Sequence, residues 1–414
     1  MRRFFSATNV VLALLCVMYF ITYVDRVNVS TAASTIQKEF GLNNTQSSLV
    51  FSAFAYPYLL FQISGGWVGD KFGARRTLFW CGLTWALATV LTGLAGGFAS
   101  LIAARVLLGI GEGATFPTAT RAMQYWVPST NRGFAQGLTH AFSRFGNTVT
   151  PPLVAALTVS FSWRGSFVIL GFASLVWVFV WFWYFRDEPR THPSITAEEL
   201  ATLPQRVSAE PPVVPWTALI ARMWPVTLTY FCYGWCLWLF LSWLPQFFEK
   251  NFHLDLKNSA IFAAGVFLAG VLGDSLGGVL SDRVLRRTGN VRLARLSVTV
   301  FGFLGAFVSL LPILWTHDLN IVALSLSACF FFAELTIGPM WAIPMDIAPK
   351  YSGTAAGMMN SGSALAAIAS PLVGGLLIDW TGNWYLSFIV LMAMLLVGAG
   401  SAFLMHPERP FKDA

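Results

Sequence analysis

The chain has 414 residues, 56% of them hydrophobic and only 11% charged, with mean hydropathy +0.63 and a formal net charge of +7. A soluble protein clothes itself with about 25% charged residues, so this composition excludes a water-soluble globular fold. Nor does the positive balance point to nucleic acid, because the basic residues are sorted by position along apolar runs.

Those runs are long enough to cross a bilayer as helices. Twelve spans are predicted, at 10–32, 46–69, 77–98, 101–123, 133–158, 164–185, 222–248, 259–280, 292–314, 319–341, 353–379 and 383–405. Gly and Pro inside them are tolerated by transmembrane helices. Span 1, after MRRFF, is not a signal peptide. Its apolar region is too long, it carries Asp25 and Arg26 within ITYVDRVNVS, and no small-residue cleavage site follows. Of 26 Lys and Arg, 19 fall on one side of the twelve spans, while only Lys38, Arg164, Lys250 and Lys257 fall on the other. That bias marks the cytoplasmic face and places both termini inside. Cys16, Cys81, Cys232, Cys236 and Cys329 all lie in spans, so no disulfide framework and no metal site are expected.

The chain is written twice. GWVGDKFGARR at 66–76 recurs as GVLSDRVLRR at 278–287, TPPLVAAL as SPLVGGLL, WRGSFVIL as WYLSFIVL, and Glu112 of span 4 has a counterpart in Glu334 of span 10. The offsets, 212 to 222 residues, are about half the chain. The expected organisation is therefore an N-terminal six-helix half at 1–185, a polar cytoplasmic linker at 186–221 and a C-terminal half at 222–414. Parallel repeats of this kind enclose a substrate site where they meet.

GWVGDKFGARR resembles the loop signature of the major facilitator superfamily. YVDRVNVS, RVLLGIGEGATFP, SWRGSF and DEPRTHPSITAEEL make the chain similar to its anion:cation symporter family, which includes bacterial sugar-acid permeases and the vesicular glutamate and sialic-acid transporters. The similarity runs through essentially the whole chain and is most specific in spans 1 and 4. It implies an all-α fold of twelve transmembrane helices in two parallel six-helix halves. It also implies that Asp25 and Glu112 are a protonatable pair and that Arg26 and Arg105 contact or gate a substrate carboxylate. Tyr58 in AYPYLLFQ matches a polar cavity position of the bacterial members, with a packing aromatic as the alternative. Asn360 in GMMNSGSAL matches an Asn that helps bind substrate hydroxyls, with a small-residue helix contact as the alternative.

The residues themselves point the same way. Asp25, Arg26, Arg105, Glu112, Arg144, Asp274 and Glu334 lie within spans, and each costs about 2.5–3.5 kcal/mol at the centre of a bilayer. They must face a wet cavity or one another. Arg105, Glu112 and Arg144 descend with Asp25 from the outer mouth to the midplane, an alternating ladder suited to carboxylates that take protons and arginines that hold an anion. Arginine offers a fixed fork of donors and never deprotonates. Of the neighbours Asp25 and Arg26, Arg26 is expected to face the anion, and Asp25 to turn towards an arginine on span 4 or 5. Arg144 either receives a second carboxylate, the preferred assignment, or neutralises Glu112. His140 is expected to be a packing or cytoplasmic-mouth histidine rather than a proton relay. Glu334 could join the cavity, and Asp274 a cytoplasmic gate. Asp70 with Arg75 and Arg76, and Asp282 with Arg283 and Arg287, are expected to hold that face closed, with helix ends as further partners.

These features favour a proton-coupled importer of a small organic anion over an exporter or uncoupled facilitator. A membrane enzyme is disfavoured, since there is no metal-ligand cluster, no Asp-rich pair and no nucleophile beside a base. The expected protein is a monomer in the bacterial inner membrane, without cofactor, whose partners are the anion, protons and lipid.

Overall fold

The computed structural model describes residues 6–42, 46, 49–50, 53–204, 214–254 and 256–411. Residues 205–213 of the linker, and Arg2, Arg3 and Lys412 of the basic termini, lie outside them. The regular structure of the described residues is helical, with no strand among them.

In the first half of the sequence the helices are α1 (Ala7–Thr31), α2 (Ala33–Phe40), α3 (Ala55–Phe72), α4 (Ala74–Gly93), α5 (Phe98–Gly113), α6 (Thr115–Trp126), α7 (Arg132–Tyr184) and the short α8 (Ala197–Thr202). In the second they are α9 (Trp216–Phe252), α10 (Leu256–Thr288), α11 (Val291–Leu310), α12 (Leu319–Glu334), α13 (Ile337–Ile347), α14 (Ser352–Thr381) and α15 (Tyr385–Ala402). Among the described residues, nine helical stretches are long and apolar enough to cross a bilayer. The other three expected spans fall on α3, α4 and the first part of α7, which carry more Gly, Thr and charged ends. Spans 5 and 6 are continuous in α7, except that Ser162 takes a left-handed φ of 67° between them.

Spans 4 and 10 are each broken just past their acid. Ala114 separates α5 from α6, and Leu335 and Thr336 separate α12 from α13. Pro117 and Pro339, each five residues after the glutamate, account for both breaks. A proline has no N–H for the carbonyl four residues back, and its ring crowds that carbonyl. The backbone tightens instead: the Ala114 N–H turns to the Glu112 carbonyl, and the Thr336 N–H bonds Ala333 at 3.1 Å. Glycines lie against the breaks. A Cβ on Gly65 of α3 would overlap Ala114, and one on Gly277 of α10 would overlap the Leu335 carbonyl. Such small-residue contacts are how membrane helices approach closely.

The helices form two compact units. Unit 1 comprises Met1–Ser129, Phe142–Val213 and Lys350–Gly357; unit 2 comprises Thr130–Ala141, Val214–Pro349 and Met358–Ala414. In unit 1, α2 covers an apolar cluster that includes Val29, Ile36, Leu101, Trp163 and Phe167. Its last turn is tied down by Glu39, which accepts from Trp163 Nε1 at 2.6 Å and Arg164 Nη2 at 2.6 Å. Hydrogen bonds from Trp163 and then Arg164 hold that carboxyl below the usual carboxylate range.

The first half of the linker is also folded, as a strap across the basic end of unit 1. Asp187 accepts from the Arg75 N–H at 3.0 Å, and the Arg186 carbonyl accepts from Trp126 Nε1 at 2.8 Å. Gly73, at φ 84°, has no Cβ to strike the Asp187 carboxylate. His192 is 4% exposed and packs on Trp126 and Tyr184. Its Nδ1 accepts from the Ser194 N–H at 3.2 Å, which leaves Nε2 to donate to the Tyr184 carbonyl at 3.1 Å. Glu199 caps α8 through Thr196 and also reaches the first turn of α1, accepting from the Thr8 N–H at 3.1 Å and Thr8 Oγ1 at 3.0 Å. Burial raises its pKa, but the hydrogen bonds from Thr8 and Thr196 prevail and hold it below the usual carboxylate range.

Candidate functional site

The site in unit 1 is built around α1. Successive residues on a helix point about 100° apart, and Asp25 and Arg26 go separate ways. Arg26 turns to α5, where its Nε donates to Glu112 Oε2 at 2.5 Å. The guanidinium carbon lies 4.6 Å from the Tyr58 ring centroid, 4.8 Å from Tyr23, 5.0 Å from Phe116 and 5.1 Å from Phe54. The Arg26 side chain is 10% exposed and that of Glu112 0%. Four aromatic faces around a desolvated cation stabilise the charge where water cannot. Tyr58, stacked on Phe54 at 5.1 Å, is thus a wall of the cage.

Asp25 lies within electrostatic reach of Arg105 on span 4, but its carboxylate forms no ion pair with an arginine there. It faces the second part of α7, where Ser174 Oγ donates to Oδ2 at 3.2 Å. Arg105 comes to the backbone instead. Its Nη1 donates to the Asp25 carbonyl at 3.2 Å and its Nη2 to the Arg26 carbonyl at 3.5 Å, so it clamps α1 at the position of the pair. Arg144 Nη1 donates to the Tyr23 hydroxyl at 3.3 Å, and the same ring lies over Arg26. Four buried atoms of the group lack a hydrogen-bond partner among the described residues: Asp25 Oδ1, Arg26 Nη2, Arg105 Nε and Glu112 Oε1. Each such atom costs about 1–3 kcal/mol, so the group is compact but under-satisfied, with donor and acceptor capacity in reserve.

In unit 2, Glu334 accepts from the Tyr233 hydroxyl at 3.0 and 2.9 Å. His140 donates from Nδ1 to the Gln136 carbonyl at 2.9 Å and packs against the Trp341 ring at 4.9 Å, the geometry of a packing histidine. Asp274 is buried on α10, with its carbonyl at the place where a Cβ on Gly137 would fall. Asn360 is buried on α14.

The repeated aspartates bind helix starts. Asp70 accepts from the Gly353 N–H at 3.0 Å, the Thr354 N–H at 2.7 Å and Thr354 Oγ1 at 2.7 Å. In unit 2, Asp282 accepts from the Gly133 N–H at 3.1 Å and the Phe134 N–H at 2.6 Å. Each carboxylate thereby meets the positive end of a helix dipole. Their cations are not the ones expected. Arg121 stands 3.5 Å from Asp70, and Arg295 is 3.0 Å from Asp282 and 2.9 Å from Asp346, which also holds Arg132 at 2.9 Å. Arg75 donates to the Phe182 carbonyl, while Arg76, Arg283 and Arg287 are exposed. Arg75 and Arg76 lie on α4, beyond Gly73, and Arg283, the residue after Asp282 on α10, points about 100° away from it. A polar cavity of about 210 Å³, lined by Asp70, Lys71, Arg121, Tyr125 and Asp187 among others, lies beside the Asp70 contact. Arg121, Arg295, Arg132 and Asp346 were not singled out from the sequence, where they look like any topology-setting charge.

Paired broken spans, each with an acid at its break, are the architecture of a membrane carrier rather than of a membrane enzyme. Residues 15–371 match the family model of the Major Facilitator Superfamily, and the chain belongs to that superfamily. It is 47% identical over 411 residues, 98% of this chain and 96% of the other, to the probable sulfoacetate transporter SauU of Cupriavidus necator. It is 30% identical over 388 residues, 89% of this chain and 88% of the other, to the hexuronate transporter of Bacillus subtilis. Among solved structures, the human organic anion transporter MFSD10 matches with TM-score 0.75 at 15% identity, over 95% of this chain and 98% of that one. The fucose:proton symporter FucP of E. coli, in the outward conformation, matches with TM-score 0.72 at 14% identity, over 97% and 99%. The twelve-span fold and the family resemblance read from the sequence are borne out.

Proposed function

We propose that the chain imports a small organic anion together with protons, by alternating access of two six-helix halves, 1–185 and 222–414. The substrate class is a short anion with two acidic groups, a sulfonated carboxylate of the sulfoacetate type, ahead of the sugar acids. The similarity to SauU over nearly the whole of both chains supports that order. The setting is the inner membrane of a bacterium, with a monomeric carrier and both termini cytoplasmic.

One observation carries the mechanism: Glu112 occupies the Nε of Arg26 inside a ring of aromatics, while Arg26 Nη2 and Glu112 Oε1 stay unsatisfied. An anion can take the fork of Arg26 only when Glu112 lets go, and Glu112 lets go without stranding a buried charge only when it gains a proton. Proton and anion therefore enter together, and they leave together when Glu112 reclaims Arg26. Asp25 takes a second proton beside Ser174. Arg105 keeps α1 in place, and Arg144 offers the second acidic group a donor by way of the Tyr23 side. Release of Asp70 and Asp282 from their helix starts accompanies the inward opening.

The test is made in proteoliposomes with labelled sulfoacetate. Glu112→Gln should retain counterflow, since Gln mimics the protonated acid, and lose accumulation driven by an inward proton gradient. Parental accumulation by this variant would refute the coupling role of Glu112.

A further inference from the structure

The two broken spans are chemically unlike. In unit 1 the acid at the break, Glu112, holds a cation on α1. In unit 2 the acid at the break, Glu334, holds a phenol on α9, which occupies the place in its half that α1 occupies in the other. The surroundings of Glu334 are a column rather than a cage. The Tyr233 ring stacks on Tyr230 at 5.1 Å and 25°, and the Tyr230 hydroxyl accepts from Trp341 Nε1 at 2.6 Å. Trp341 lies on α13, beyond the break, and Glu334 is the last residue of α12, before it. The Tyr230–Tyr233 stack therefore touches both sides of the break from one helix. Glycines admit the break itself: Gly277 faces the Leu335 carbonyl, and Gly302 faces Thr336.

We propose that Glu334 and Tyr233 are the hinge pin of unit 2, a positioning pair that holds the break between α12 and α13 against α9 during the transport cycle proposed above. A hydrogen bond from a neutral phenol to a carboxyl oxygen needs only an acceptor, so the pin does not open and close with a proton as the Arg26–Glu112 contact does. One half of the chain then carries the proton-dependent exchange, and the other carries a fixed pivot about which α13 moves. Local tightening of the helix ladder at Thr336 fits such a hinge.

The pin is tested with Tyr233→Phe, which removes one hydroxyl and keeps the stacked ring, with Glu334→Gln, which keeps a carbonyl acceptor, and with Glu334→Leu, which does not. Maximal rate, KM and pH profile are measured for uptake, and rate and KM for counterflow, on protein shown by size-exclusion chromatography to be folded. Tyr233→Phe and Glu334→Leu should lower the maximal rate up to about tenfold, the scale of one buried hydrogen bond, with KM and pH profile unchanged. Glu334→Gln should restore most of the rate with the parental pH profile. A parental rate in Tyr233→Phe overturns the pin. A displaced pH profile in Glu334→Gln overturns it in favour of a titrating site, and a raised KM with parental rate overturns it in favour of substrate contact. If Glu334→Leu does not fold, Tyr233→Phe decides the matter. If the parent shows counterflow but no proton-driven uptake, the coupling proposal fails, and the counterflow rates still decide the pin.

Discussion

Arg26→Lys keeps the charge at the centre of the site and removes its shape. The guanidinium makes one 2.5 Å contact to Glu112 and lies within 5.1 Å of four ring centroids. An ammonium can still meet Glu112 as a point charge, but it has neither the planar face for the rings nor the fork for an anion. Losing one charge-assisted hydrogen bond to substrate costs about 1.5–3 kcal/mol, which corresponds to roughly 10–100-fold in Kd. Because the buried acid keeps a cation, the fold should survive. Arg26→Ala is the wrong probe, since stranding a buried partner costs about 3–5 kcal/mol. The assay is calorimetric titration of purified protein with sulfoacetate, beside thermal unfolding of the same sample. A Tm near that of the parent with Kd weakened by that factor is expected. Binding within about twofold of the parent, less than one such hydrogen bond contributes, would refute the assignment of Arg26 as the anion's ligand.

Asp25→Asn, which keeps an acceptor for Ser174, should bind substrate normally at low pH while losing part of the pH dependence of binding and part of the proton-driven accumulation, the remainder being that of Glu112; an unchanged pH profile measured by titration would remove Asp25 from the coupling. Asp70→Asn and Asp282→Asn each weaken a charged cap on a helix start, so both should change the rate of the conformational cycle and leave the rank order of substrates over a panel of organic acids intact. A changed rank order in either would put that aspartate in the binding site. In the strap, burial first, and then the charge of Arg186, push His192 below the usual imidazole range against the pull of the Tyr184 carbonyl and Glu199. The neutral ring is the one the fold accommodates, so its contribution is complete above the ordinary value of 6.5 and is lost as pH falls through the lowered one. Protease cleavage within 186–204 should therefore increase on acidification, and His192→Phe should remove much of that increase; cleavage independent of pH in the parent would contradict this.

The spans and the repeat were legible because hydropathy and spacing are local properties, and a bilayer leaves few ways to satisfy a backbone. Tyr58 was marked only by the family resemblance, whereas Arg26 and Glu112 were also legible, as charges costly in apolar runs. What they meet was not. Asp25 and Arg26 had to diverge on a helix, but whether the Asp25 carboxylate bonded an arginine or Ser174 depends on which helices neighbour α1, and no local pattern encodes that. Arg105 could be seen to be buried but not to be clamping main-chain carbonyls. At the aspartates, proximity in sequence favoured Arg75 and Arg76, whereas Arg121 lies 51 residues from Asp70 and is brought there by the fold. The breaks at Ala114 and Leu335 did have a signal, a proline five residues after each glutamate.

The strap also bears on how the protein is made. The first turn of α1 is completed by Glu199, a residue 191 positions further along the chain. At ordinary rates of synthesis that residue is added roughly 10–40 s after Thr8. Until then the start of the first helix waits in the growing membrane protein without its acidic cap, and the Trp126 indole waits without the Arg186 carbonyl. A chain halted at residue 185 would hold all six spans of the first half and still lack the piece that finishes its basic end. One halted after residue 204 would have it. The smallest fragment able to mature as a first half therefore ends beyond its last membrane helix, inside what the sequence presents as a connector.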